Sequence, residues 1–264
     1  SSRYNTPFSM VRIMKTALVL TGYMRNWEEH FPNIKTNIID KYSTDVFISS
    51  STYSELHIGS GFVNVDVDKV IEKYKPKKYL FRETETTPKL KLKSGIRMLQ
   101  YPDENWVKRI AQQWYGVYLG SKLLDLDEYD VIIKCRSDLS VRNFELKPDK
   151  DFVLPLWKYH PGNCKIGDSY LDFFAYGKPF YMKKYFEMYC KLQEMHDNNW
   201  ADISLSETLI KYYVDRYIGS DVITFDKDMD TKIRNERWGI DNGKEFPVDM
   251  YGDKYPQEEV LNYG

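Results

Sequence analysis

An arginine and an aspartate, Arg136 and Asp138, flank one serine at the point where an apolar run ends. The planar fork of a guanidinium matches phosphate oxygens. A carboxylate holds a divalent cation or accepts from hydroxyls. Together these types suit the handling of a diphosphate. A second constellation is Thr21-Gly22-Tyr23-Met24-Arg25-Asn26, also just past an apolar run. Gly22 lets backbone approach a ligand closely, and Arg25 is a second cation for phosphate. The glycine spacing is neither that of a dinucleotide-binding turn nor that of a P-loop, which argues against a nicotinamide enzyme or a P-loop kinase. A third is Gly167-Asp168-Ser169-Tyr170-Leu171-Asp172. Asp168 or Asp172 is placed to take a proton from a hydroxyl, with Asp168 favoured by the neighbouring glycine. Either one equally caps a turn. Glu207 is accounted for by a capping box with Ser204, and with Trp157, His160 and Trp200 it is a candidate for lining a pocket.

Positioning such groups takes strands whose ends face one edge. Residues 16–21 form a short apolar run that ends at Gly22, the pattern of a strand buried on both faces. A helix is expected over 27–42, with Pro32 in its first turn, and then a strand over 45–50. Strand, helix, strand is the βαβ pattern of a parallel sheet. A short helix over 66–74 and a strand over 78–81 follow. Residues 83–95 lack a period and contain Pro88; they are expected to form a mobile loop of the kind that serves as a lid. The best helical period runs over 105–126. Further strands are expected over 130–135, 152–155, 172–177 and 222–225, with helices over 179–196 and 204–217. Beyond Asp226 the chain is polar and rich in turn formers, and a loosely packed tail is expected.

The 264 residues suit a single domain over 14–264, in two halves over about 14–140 and about 141–264. Residues 1–13 are expected to be disordered or foreign to the natural chain, which would then start at Met10 or Met14. The net charge of −1 offers no basic excess for nucleic acid. Cys135, Cys164 and Cys190 have neither metal-ligand spacing nor a disulfide framework. Cys135 lies in an apolar strand and reads as a buried thiol, which favours a reducing compartment. No segment reaches the about 18 apolar residues that a membrane span requires. The 22 Tyr, 13 Phe and 6 Trp are either core and surface filler or sugar-stacking faces.

In order and spacing, these residues resemble GT-A-type glycosyltransferases of bacterial lipopolysaccharide and capsule clusters and of large DNA viruses. The likeness rests on 16–22 with Arg25, on the Tyr129-to-Lys134 run leading to Arg136-Ser137-Asp138-Leu139, on 167–177, and on Ser206-Glu207-Thr208-Leu209. It implies a Rossmann-like GT-A fold, α/β, with a central, mostly parallel sheet flanked by helices. It implies transfer of a sugar from a nucleotide-diphosphate donor to a glycan hydroxyl, in the cytoplasm of a bacterium or virus-infected cell or at a membrane periphery. Thr21, Gly22, Arg25, Arg136 and Asp138 would contact the donor. Asp168 or Asp172 would be the base, and Trp157, His160 and Glu207 would line the acceptor pocket. The family holds Mn²⁺ or Mg²⁺ with an Asp-x-Asp motif. Here Arg136 replaces its first aspartate, so Asp138 alone holds the ion, or Arg136 and Arg25 supply its charge. A nucleotidyltransferase would use a similar sheet but a glycine-rich basic loop after the first strand. A non-catalytic sugar-binding module would keep the fold without turnover.

Overall fold

The computed structural model describes residues 14–55, 62–83, 90–91, 104–156, 170–198, 200, 206–233, 238–241 and 244–247. Its centre is a seven-stranded sheet. Four strands lie parallel at one end of it: β5 (Lys78–Arg82), β2 (Asp45–Ser51), β1 (Thr16–Thr21) and β6 (Val131–Arg136). β9 (Phe174–Gly177) runs antiparallel beside β6. β8 (Phe152–Pro155) and β10 (Ile223–Asp226) complete the order β10-β8-β9-β6-β1-β2-β5. The expected Rossmann-like α/β class, a mostly parallel sheet flanked by helices, is therefore what the chain adopts. Strand order reverses direction between β1 and β6. In open α/β sheets that reversal opens a crevice at the carboxyl edge.

Alternation along each strand explains why both faces are covered. In β1, Ala17 and Val19 meet Val107, Ala111 and Trp114 of α3 (Glu104–Ser121). Leu18 and Leu20 face the opposite way, toward Ile34, Ile38 and Val70. These come from α1 (Trp27–Ile34), its continuation, and α2 (Val67–Tyr74). The face under α3 also carries α4 (Pro179–Phe186), α5 (Leu192–Asp197) and α6 (Ser206–Tyr213). With both faces sealed by apolar side chains, polar groups gather at the strand ends.

Several boundaries differ from expectation for identifiable reasons. Pro32 sits inside α1 rather than in its first turn. The helix begins at buried Trp27, the expected start, so Pro32 falls in its second turn; Glu28 and Glu29 suit its positive end. Pro32 has no N–H for the ladder, and from Lys35 to Asp40 the helix continues in the wider π form. The long helix stops at Ser121. The helix expected over 179–196 is interrupted by a 3₁₀ stretch, Glu187–Lys191. Ser204 lies outside the described residues, so the capping box is not seen.

Short strands also went unread. β3 (Tyr53–Glu55) and β4 (Phe62–Asn64) form a hairpin after β2. β7 (Leu139–Arg142) follows β6 directly and pairs with β11 (Asp230–Ile233), inside the stretch expected to be a loose tail. β12 (Trp238–Asp241) and β13 (Lys244–Pro247) form another hairpin there. The turn into β11 is anchored by Asp226, whose carboxylate accepts from the Asp228 and Met229 amides and pairs with Lys147 at 2.9 Å. Most of the expected 83–95 loop lies outside the described residues. Leu90 packs on the core, and Lys91 exchanges backbone bonds with the Gln193 amide on α5.

Gly177 closes β9 where it crosses β8. A Cβ there would lie 2.3 Å from the Asp151 carbonyl oxygen and 3.0 Å from Phe152 Cα. Both are backbone atoms that no rotamer change can move. Gly177→Ala is expected to cost about 2 kcal/mol or more by overpacking. Urea unfolding checks this, and an unchanged midpoint would show that the two strands separate at no cost.

Candidate functional site

β1 and β6 end side by side, with Thr21 opposite Arg136 in register. Gly22 follows with φ +93°, a backbone region that side chains rarely enter, and its position leaves Arg136 Cγ 3.9 Å from where a Cβ would sit. The turn is tied down from both sides. Ser50 Oγ donates to the Gly22 carbonyl at 2.7 Å, and Ser137 Oγ to the Tyr23 carbonyl at 2.9 Å. Thr21 itself is buried and belongs to the floor of this crevice. Arg25 lays its guanidinium over the Tyr23 ring, 5.2 Å from the centroid.

The strand-end pair is explicit. Arg136 Nε donates to Asp138 Oδ1 at 2.8 Å and Nη2 donates to Oδ2 at 2.7 Å, a bidentate fork. The Asp138 side chain is 1% exposed and that of Arg136 17%. Burial works against the guanidinium charge, but Asp138, then Asp172 and Glu207, outweigh it and hold Arg136 protonated. Two of its five N–H groups are used on Asp138, leaving donors for a ligand.

The segment before β9 brings in Asp172. Its carboxylate accepts from Gln113 Nε2 of α3 at 2.5 Å. Its carbonyl accepts from the Lys134 ammonium. The next carbonyl, Phe173 O, accepts from the Arg136 amide at 3.1 Å, and the Phe173 ring lies 5.9 Å from the Arg136 guanidinium. Glu207 is buried in the first turn of α6. The crevice therefore joins four buried charges, Lys134, Asp138, Asp172 and Glu207, with the partly buried Arg136.

Asp168, Trp157 and His160 lie outside the described residues. Trp200 stacks on Tyr212 at 5.7 Å under the Arg216 guanidinium, a cluster attached to α6. Sequence reasoning missed an aromatic ledge beside Gly22. Tyr23, Tyr53 and Phe62 meet with centroids 5.1 to 6.2 Å apart, and Phe62 is exposed. It missed Lys134 as a buried cation too, because a lysine inside an apolar strand reads as a lapse in the pattern. The reading of Cys135 as a buried thiol agrees with its position.

As placed, the described residues do not fit a divalent ion at the strand end. Arg136, two residues before Asp138, is a cation, and both oxygens of Asp138 are engaged by it. Among the described residues no three His, Cys, Asp or Glu side chains converge.

No family model and no curated protein matches the chain. Among solved structures, a similar one is core-mannan synthase A from Aspergillus fumigatus in its Mn/GDP form. It is 9% identical, with a TM-score of 0.46 over 83% of this chain and 74% of that one.

Burial pushes the Lys134 ammonium down to about 8, against the pull of Asp172. Unfolded, a lysine titrates near 10.5. Between pH 8 and 9 the unfolded chain thus holds a proton that the folded one is shedding. Stability rises with pH there, by at most about 1.4 kcal/mol per unit. Above pH 9 the Cys135 thiol, pushed up to about 12 by burial, opposes this, and the rise levels off. Denaturant titrations across pH 7 to 10 check the rise, which Lys134→Met is expected to abolish. A flat wild-type curve would contradict a buried charged lysine.

Proposed function

We propose that the protein is a glycosyltransferase that moves a sugar from a nucleotide-diphosphate donor to a glycan hydroxyl. The observation that carries this is the Arg136–Asp138 fork beside Gly22, at the point where strand order reverses. A transferase must stabilise the charge that develops on the departing diphosphate. Preorganised donors in a water-poor crevice do this with little reorganisation. Arg136 is such a donor: held protonated by its acidic neighbours, fixed by two bonds and backed by a sheet covered on both faces.

Gly22 lets the diphosphate lie against the backbone, and Arg25 adds a second cation at the same turn. The ledge of Tyr23, Tyr53 and Phe62 is suited to stack a nucleobase, since each ring offers a flat face to another. Asp138, buried with both oxygens engaged by the guanidinium, orients Arg136 toward the donor. Asp172 or Asp168 removes the acceptor proton as the sugar departs, with Glu207, Trp157 and His160 on the acceptor side. An Mn²⁺ or Mg²⁺ ion at Asp138 would have to compete with Arg136 for both oxygens, so donor binding is assigned to the guanidinium. Positioning and leaving-group stabilisation then supply most of the rate.

A thermal-shift screen of nucleotide-diphosphate sugars tests this directly. A donor at about 100 times its Kd stabilises by about 2.7 kcal/mol, a rise of about 5 °C or more for a chain of this size. The rise is expected in EDTA as well as in Mn²⁺. Asp138→Asn keeps the side-chain shape but removes the charge, and is expected to melt cooperatively, lose the donor shift and lower donor hydrolysis about 100-fold or more. Donor binding with no hydrolysis under any condition would favour a binding module instead. Wild-type turnover from folded Asp138→Asn would remove the fork from the mechanism.

A further inference from the structure

Lys134 is the one buried charge of the crevice with no task in the reaction above. It lies mid-strand in β6, between Val19 of β1 and Ala175 of β9, on the same face as Ile132 and Arg136. It is 1% exposed. Nothing about strand formation calls for a lysine here, since Val19, Ala175 and Ile132 beside it are apolar. A buried ammonium in such a place is costly unless its charge is answered. The answer comes from the segment before β9, where the Asp172 carbonyl accepts a hydrogen bond from the ammonium and the Asp172 charge favours it.

That segment is held at three points. Lys134 grips the Asp172 carbonyl from below, the Arg136 amide takes the Phe173 carbonyl, and Gln113 takes the Asp172 carboxylate. The two backbone grips come from residues two apart on one strand. They fix the height and register of Asp172 relative to the Arg136–Asp138 fork. Leaving out Lys134 would leave the crossing hinged on the Phe173 bond alone on the strand side.

We propose that Lys134 is a positioning residue: its ammonium, by holding the Asp172 carbonyl, sets the Asp172 carboxylate in register with the Arg136 guanidinium. The role of Asp172 as base rests on the transferase reading above, but the bond and its effect on the 172–173 segment do not. The charged and titratable groups that act on Lys134 are Asp172 from the crossing segment and Arg136, Cys135 and Asp138 from its own chain stretch; Tyr185 of α4 acts on Asp172's surroundings and Glu207 of α6 on Arg136. Of these the lysine is the group placed to change charge near pH 8. As it does so the grip weakens. The structure then predicts opposite trends: the fold gains stability above pH 8 while the site loses its register.

The test pairs a structural and a kinetic measurement. In the wild type, the Asp172 carbonyl carbon and Phe173 amide resonances are followed from pH 6.5 to 9.5. They are expected to move together with a midpoint near 8, and to stay put in Lys134→Met. Donor hydrolysis is then compared across the same range. In the wild type kcat is expected to fall above pH 8. In Lys134→Met it is expected to be about 30-fold lower and flat across that window, with KM for the donor within about threefold, since the fork and Gly22 are untouched. Resonances that do not respond to pH would overturn the proposal even if no donor is turned over, a result that would count separately against the transferase reading. So would an alkaline fall in kcat that persists in Lys134→Met, or KM and kcat worsening together, which is what loss of a merely structural residue would give. If Lys134→Met does not fold, the wild-type resonances alone decide.

Discussion

Lys134 and Arg136 lie buried on one face of the central strand, and the surroundings of the crevice answer to their charge. An unpaired cation inside a protein is costly enough to unfold it. Carboxylates must therefore be delivered to that face from elsewhere in the chain. Asp138 arrives from the turn directly after the strand, Asp172 from the crossing before β9, and Glu207 from the first turn of α6. The apolar layers on both faces of the sheet supply the folding energy. The charges decide which loops end up at the carboxyl edge and how firmly they are held there.

Sealing both faces and charging one strand end also explains the difference between floor and rim. Deep groups such as Lys134 and Thr21 are buried in the floor and hold its shape. Arg136, with part of its guanidinium exposed, can do both. Gly22 sits at the boundary because the turn requires positive φ and because backbone, not side chain, meets the crevice there. The aromatic ledge extends that rim away from the fork, so a ligand with a charged and a flat end would span both.

Much of this was legible in the sequence because strands buried on two faces leave continuous apolar runs. β1, β2, β6 and β8 all announce themselves in that way, and Arg136 and Asp138 stand out because they end such a run. Other features depend on contacts that no local pattern carries. The ledge gathers Tyr23 from the turn after β1 and Tyr53 and Phe62 from the paired strands β3 and β4. β7 and β11 are four residues each, and their pairing joins stretches about ninety positions apart. Proline favours first turns, whereas here Pro32 lies inside a helix that the burial of Trp27 already starts. The bidentate fork was foreseeable as a possibility from the spacing, but its geometry, which takes both oxygens of Asp138, appears only in three dimensions.

The central claim is that the Arg136–Asp138 fork beside Gly22 receives a nucleoside diphosphate. A crystal structure of the protein grown with UDP or GDP, without added divalent metal, tests it most directly. The account predicts a diphosphate lying over the Gly22 turn, with its terminal phosphate within hydrogen-bond reach, about 3 Å, of the Arg136 guanidinium and the fork to Asp138 intact. A nucleotide bound away from the β1–β6 crevice, or a diphosphate that reaches the site only through a metal ion that has displaced Arg136 from Asp138, would contradict it.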